Sequence, residues 1–168
     1  MDHKSSLPWR PCAGIMLVND QNQVFVARRL DSERDAWQMP QGGIDAHEDP
    51  QTAALRELRE ETGTDRVHVL AEMEEWIRYD LPEALIGTLW KGRYRGQEQK
   101  WFLMRFTGRD ADICLETEHP EFSDWKWVSL SEVPDLAVPF KRAVYEQVCA
   151  RFSSYLSSDS CVSPAEGP

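Results

Sequence analysis

A glycine pair followed by a strongly marked helix constrains this chain more than any other feature of its sequence. Gly42 and Gly43 allow a close approach of the backbone to a neighbouring group or ligand. Asp49 is suited to cap a helix, Pro50 fits the first helical position, and Gly63 stands where a helix ends. The segment therefore predicts a glycine-rich loop that leads directly into a helix.

Three glutamates of this helix fall on one side of it. Because a helix turns about 100° per residue, Glu57, Glu60 and Glu61 lie within roughly one third of its circumference. Carboxylates this close repel one another, so the crowding predicts a cation among them, and hard divalent ions such as Mg²⁺ suit oxygen ligands. Arg56 stands four residues before Glu60 and can orient it. The alternative is a merely solvated helix face, but the glycine loop and Glu48 before the helix favour the metal site.

The rest of the chain predicts an α/β (α+β) fold, with a mixed β-sheet sandwiched between α-helices. Strands are expected at residues 14–18, 23–28, 66–79 (one or two strands), 99–107 and 125–128. A closing helix from about residue 140 to 156 carries an apolar side chain at every fourth position. We divide the chain into a flexible arm at residues 1–8, one folded domain at residues 9–156 and a disordered tail at residues 157–168.

Composition and charge exclude several classes of protein. No apolar run is long enough to cross a bilayer, and the N-terminus carries no apolar signal segment. The four cysteines are scattered without a CxxC pair, which favours reduced thiols in a cytoplasm over disulfides or a zinc site. The net charge of −10 argues against a uniformly basic nucleic-acid-binding surface. A chain of this charge needs metal ions to meet phosphates favourably.

Residues 42–64 resemble the Nudix hydrolase signature, G-x5-E-x7-R-E-U-x-E-E-x-G-U, in which U is a bulky aliphatic residue. Thr64 replaces the last aliphatic position, and every other specified position is filled. Likeness to the RNA pyrophosphohydrolase branch of the family, closest to the bacterial enzymes, extends from about Trp9 to Phe152. The resemblance implies the Nudix fold and hydrolysis of a phosphoric anhydride by attack of water on phosphorus. It also implies a divalent metal, with Mg²⁺ expected and Mn²⁺ as the alternative.

The resemblance also assigns roles to individual residues. The catalytic carboxylates and metal ligands are Glu57, Glu60, Glu61 and Glu121, joined as a ligand by the carbonyl of Gly42, and the general base is Glu60 or Glu121. Phosphate and substrate contacts are expected from Arg28, Arg29, Gln41 and Lys100, and strand alternation sends one of the two arginines inward. The base-binding candidates are Arg10, Phe140 and Lys141, although Phe140 also begins the apolar stripe and could be core. The supporting motif positions are Gly42, Gly43, Glu48, Arg56 and Gly63.

The expected function is that of an RNA 5′-pyrophosphohydrolase, which converts a 5′-triphosphate end to a 5′-monophosphate, releases pyrophosphate and promotes RNA decay. A dinucleoside polyphosphate hydrolase acting on diadenosine tetra- or pentaphosphate is the alternative. A non-catalytic nucleotide-binding Nudix module is a third hypothesis, disfavoured because all three helix glutamates are present. We expect the 5′ end of RNA or a dinucleoside polyphosphate as partner, neither DNA nor a membrane, and a cytoplasmic location. Protein partners are left open.

Overall fold

A mixed β-sheet organises the computed structural model, which describes residues 6–30, 36–117 and 120–165, with side chains up to residue 156. Its strands are β1 (Trp9–Val18), β2 (Val24–Arg29), β3 (Trp37–Gln38), β4 (Gln41–Gly43), β5 (Val67–Glu72), β6 (Ile77–Asp80), β7 (Gly96–Phe106) and β8 (Phe122–Val128). The order is β3-β2-β1-β7-β5, with β4 paired to β1, β6 to β7 and β8 to β2. The long β1–β7 pair is parallel, and the other pairs are antiparallel.

Helices cover both faces of this sheet. They are α1 (Pro50–Thr62), α2 (Val133–Leu136) and α3 (Arg142–Ala165). One core cluster joins Leu58 of α1 to Ile15 and Phe102, and the other joins Val148 of α3 to Met16. The residues of β1 and β7 alternate between the two clusters, as expected for strands buried on both faces. The predicted mixed sheet sandwiched between helices is confirmed.

The helix that carries the glutamates begins and ends where its sequence predicts. The Asp49 side chain accepts hydrogen bonds from the amides of Gln51 and Thr52, at 3.1 and 3.2 Å. Gly63 adopts a left-handed conformation with φ of 74°, and its amide donates to the Arg59 carbonyl at 2.8 Å. Both ends are therefore fixed by local chemistry, which sets the rotation of the glutamate face.

Other elements differ from the sequence prediction in length. The first strand begins at Trp9 rather than at residue 14, because it pairs with β7 along its whole length from Trp9 opposite Gly96. The closing helix begins at Arg142, and Phe140 lies in the 3₁₀ turn before it, Pro139–Lys141, so it is not part of α3. The backbone of α3 continues to Ala165, beyond the predicted helix end at residue 156. The division into an arm at residues 1–8, a domain and a tail at residues 157–168 stays a prediction. In the described part of the chain, no helix has both the length and the apolar character needed to span a bilayer.

Candidate active site

A cavity of about 460 Å³ opens beside the glycine loop, within the size range of small-ligand pockets. Its lining residues are Arg10, Arg29, Gln38, Gln41, Gly42, Gly43, Glu57, Tyr79, Leu81, Leu89, Trp90, Gln97, Glu121, Val138, Phe140 and Lys141. They come from β1, β2, the β3–β4 segment, α1, β6, β7, the segment just before β8, and the loops that follow β6 and α2. The cavity thus combines a carboxylate end, several cations and an aromatic end.

Arg56 links the parts of the signature to one another. Its guanidinium donates to both Glu48 oxygens, at 2.8 and 2.9 Å, and to the Gly43 carbonyl at 2.9 Å. It also donates to Glu57 at 2.9 Å and to Glu60 at 3.2 Å. The hydrogen bonds from Arg56, and then the one from the Asp45 amide, lower the pKa of the Glu48 carboxyl to about 2. The helical spacing predicted the contact between Arg56 and Glu60. The contacts of Arg56 with Gly43 and Glu48 could be seen only in the structure.

Two glutamates of the motif are held in an environment that disfavours their negative charge. Burial raises the pKa of the Glu57 carboxyl to about 6, and it raises the pKa of Glu61 well above its ordinary value. The negative charge of Glu121 raises the pKa of Glu61 further. Glu61 Oε1 accepts a hydrogen bond from the Gln41 amide at 3.1 Å, whereas its buried Oε2 has no partner among the described residues. Such a carboxylate is stabilised by a positive charge placed against it.

The donor set fits a hard divalent cation. Glu57, Glu61 and Glu121 supply carboxylate oxygens, and a methyl group on Gly42 would overlap the Glu57 carboxylate, so only a bare backbone fits there. Within the described ranges, no three acidic, histidine or cysteine side chains are already arranged as a metal cluster. The reason is visible in the ion pairs, since Glu57 and Glu60 turn towards Arg56 instead.

The predicted phosphate contacts divide into two groups. Arg29 and Gln41 line the cavity, as the alternation along β2 requires for one of its two arginines. Arg28 faces the other way, pairs with Asp124 and lies 5.4 Å from the Trp37 ring centroid. Lys100 also does not line the cavity, because its ammonium lies on the Glu72 carboxylate at 3.3 Å. These two expected substrate contacts are therefore not brought into the cavity.

The predicted base-binding residues are divided between the two ends of the cavity: Arg10 and Phe140 lie at the aromatic end, whereas Lys141 lies near Arg29 and Glu61. Phe140 packs on Tyr79 with ring centroids 5.9 Å apart, so the alternative that Phe140 belongs to the core stripe is not what the fold shows. The Arg10 guanidinium lies 5.4 Å from the Trp90 ring centroid. Burial, and then the positive charge of Arg29, lower the pKa of Lys141 to about 8, while the charges of Glu61 and Cys12 raise it. All three candidates line the cavity.

Several lining residues were missed by sequence reasoning. They are Gln38, Tyr79, Leu81, Leu89, Trp90, Gln97 and Val138. Tyr79 could have been found from the alternation along β6, whose Ile77 is buried. Trp90 lies in a 3₁₀ segment with irregular backbone, and no periodicity marks it in the sequence.

Comparisons with known proteins agree with this architecture. A family model described as "NUDIX domain" matches residues 8–148. The RNA pyrophosphohydrolase of Rhodospirillum rubrum is 60% identical over 151 residues, which cover 90% of this chain and 91% of that protein. The RNA pyrophosphohydrolase of Roseobacter denitrificans is 57% identical over 152 residues, which cover 89% and 95%.

Solved structures with the same fold are more distant in sequence. A Caenorhabditis elegans Ap4A hydrolase binary complex matches with a TM-score of 0.63 at 20% identity, over 88% of this chain and 98% of that one. The Escherichia coli dihydroneopterin triphosphate pyrophosphohydrolase matches with a TM-score of 0.64 at 18% identity, over 86% and 99%. At these identities the likeness establishes the fold alone.

Proposed function

Because this chain belongs to the NUDIX family, we propose that it hydrolyses 5′-triphosphate RNA ends to 5′-monophosphate ends and releases pyrophosphate. Its relatives at 51% to 60% identity, over most of its length, carry the name RNA pyrophosphohydrolase. The observation that carries the proposal is that the motif loop, cationic side chains and aromatic side chains meet in one cavity. A substrate with phosphates at one end and a base at the other matches that arrangement.

The carboxylate end of the cavity suits the triphosphate. Nudix hydrolases generally require a divalent metal ion. We assign Mg²⁺, with Mn²⁺ as the alternative, to Glu57, Glu60, Glu61, Glu121 and the Gly42 carbonyl. When bound, the metal neutralises phosphate charge and makes water a better nucleophile, which is most of what phosphoryl transfer requires.

The protein's own groups then position the substrate and move the proton. We assign Arg29 to the phosphates, and we also assign Lys141 to them instead of to the base, because it lies near Arg29 and Glu61. Gln41 holds Glu61 through its backbone amide. Glu60 is half exposed and oriented by Arg56, which suits a group that takes a proton from the attacking water. We therefore assign Glu60 as the most essential carboxylate, with Glu121 as the alternative base. The resulting 5′-monophosphate ends would promote degradation of the RNA in the cytoplasm.

The aromatic end favours a second candidate, hydrolysis of dinucleoside polyphosphates. Three aromatic side chains line the cavity, Tyr79, Trp90 and Phe140, and each could stack a nucleobase. A diadenosine tetra- or pentaphosphate would use the same metal ligands and the same phosphate contacts. The two substrates differ in what lies beyond the phosphate chain.

A direct competition tests the proposal. A short 5′-triphosphate RNA and diadenosine tetraphosphate are offered with Mg²⁺, and the specificity constant is measured for each. Glu60→Gln serves as the blank, and Glu146→Gln, an exposed glutamate of α3 outside the cavity, is the matched control. Preference for RNA supports the proposal, and preference for the dinucleotide supports the second candidate. Equal turnover by Glu60→Gln and the unchanged protein would contradict the assignment of Glu60. If neither substrate is hydrolysed in the presence of Mg²⁺, the result would favour the non-catalytic nucleotide-binding module.

A further inference from the structure

The loop at residues 83–95 carries a strained backbone to the mouth of the cavity. Trp90 and Lys91 have φ of 50° and 59°, in the left-handed region that few residues other than glycine adopt. A conformation of this kind costs free energy and persists where surrounding contacts hold it, often at ligand sites. The strained backbone at Trp90 therefore suggests that this loop has a role in ligand binding.

Backbone contacts hold this loop at its base and near its tip. At its base, the Leu81 amide donates to the Arg95 carbonyl at 2.8 Å. Near its tip, the backbones of Gly87 and Gly92 pack so closely that a methyl group on Gly92 would lie 3.1 Å from Gly87 Cα. The turn between these glycines directs Trp90 towards the cavity.

Core packing does not account for Trp90. Its side chain belongs to neither of the two core clusters of the described residues, and it is half-buried on the cavity wall. Its ring meets the Arg10 guanidinium at 5.4 Å and the Tyr94 ring edge-on at 6.2 Å. Arg10 in turn lies against Gly43, where an added methyl group would be 2.5 Å from its Nη2. Arg10 thus connects the motif loop to the indole.

We propose that Trp90 is a nucleobase-stacking residue that makes the enzyme select substrates carrying a base at this position. The inference rests on the proposed function and adds a specificity residue to it. An indole presented at a cavity wall and held by a guanidinium offers a π-face that accepts any base. The stacked base is either a nucleotide of the RNA 5′ end or the distal nucleoside of a dinucleoside polyphosphate.

The test compares Trp90→Ala and Trp90→Phe with the unchanged protein. The substrates are a 5′-triphosphate RNA, the same RNA with an abasic site at its first or second nucleotide, and diadenosine tetraphosphate. Trp76→Ala is the matched control, because Trp76 is 39% exposed and does not line the cavity. Stacking on an aromatic side chain predicts that Trp90→Ala raises KM about 5- to 100-fold, with a much smaller change in kcat. Trp90→Phe should restore most of the affinity.

The abasic substrates separate a base contact from a structural role. If Trp90 stacks a base, the RNA that lacks this base should have the same KM with the unchanged protein and with Trp90→Ala. The position of the abasic site in that RNA then identifies the stacked nucleotide. A larger loss with diadenosine tetraphosphate than with either RNA would identify the distal nucleoside instead. An equal loss on every substrate, both abasic RNAs included, would overturn the proposal in favour of a structural role. An unchanged KM would overturn it too.

A binding measurement keeps this inference separate from the proposed function. ATP stacked on an indole quenches its fluorescence, so quenching by ATP should be smaller in Trp90→Phe than in the unchanged protein and equal in Trp76→Phe. If neither substrate is hydrolysed but this difference appears, the proposed function fails and the role of Trp90 stands. Quenching that is identical in Trp90→Phe and the unchanged protein contradicts the role of Trp90 whatever the activity.

Discussion

Removal of the Arg56 guanidinium should destabilise the fold, because this one group holds both the motif loop and the helix carboxylates. Arg56→Gln loses charge-assisted hydrogen bonds to Glu48, Glu57 and Glu60 and the bond to the Gly43 carbonyl. Glu48 and Glu57 are only 14% and 15% exposed, so their unpaired charges carry most of the cost. Glu60 is 53% exposed and contributes little, since solvent screens it. Breaking a buried ion pair by removing one partner costs about 3–5 kcal/mol, and partial exposure of Arg56 places the expected loss at about 3 kcal/mol.

Urea unfolding at pH 7 in a chelator, followed by tryptophan fluorescence, measures this loss. Arg59→Gln is the matched control, because Arg59 is an exposed arginine of the same helix. Arg56→Lys keeps the charge but not the planar fork, so its free energy of unfolding should fall between those of Arg56→Gln and the unchanged protein. A loss for Arg56→Gln within about 0.5 kcal/mol of the Arg59→Gln value, typical of neutral surface changes, would refute this reasoning.

Three further predictions concern the cavity. Gly42→Ala should lower kcat/KM at least about 10-fold in a steady-state assay, equivalent to about 1.4 kcal/mol, because its methyl group overlaps the Glu57 carboxylate; unchanged kinetics would argue against a close approach there. Because the pKa of Lys141 is lowered to about 8, its charge is lost as the pH rises through that value, and kcat/KM should fall with it. With Lys141→Arg, which keeps its charge, kcat/KM should stay constant across the same pH range. The same pH profile for Lys141→Arg and the unchanged protein would contradict the role of Lys141. Burial raises the pKa of Glu61, so the folded state loses stability as the pH rises from the ordinary carboxyl value of about 4.5 to the raised one. Glu61→Gln removes this loss and should raise the Tm at pH 7 in a chelator. Thermal scans should also show that the same variant loses the rise in Tm that Mg²⁺ gives the unchanged protein; a retained rise would exclude Glu61 as a ligand.

Local sequence rules account for the helix that carries the signature. The Asp49 side chain caps one end of the helix by accepting from the amides of Gln51 and Thr52, and the Gly63 amide closes the other end by donating to the Arg59 carbonyl. Each of these bonds joins residues no more than four positions apart, and the helical repeat alone places the three glutamates on one side. Strand alternation was likewise sufficient to predict that just one of Arg28 and Arg29 turns inward. These features depend on contacts close in sequence, which is why they could be predicted without a structure.

The tertiary structure decided which distant groups share the cavity. Glu121 lies near Glu61 although the two are far apart in sequence, and Lys100 on β7 pairs with Glu72 instead of lining the cavity. Phe140 leaves the apolar stripe because a 3₁₀ turn precedes α3. Trp90 lies in a loop with a left-handed backbone, and no periodic pattern in the sequence predicts this conformation. The sequence by itself determined the signature helix and its charged face, whereas the cavity depends on packing between strands far apart in the chain, and such contacts leave no local periodicity to read.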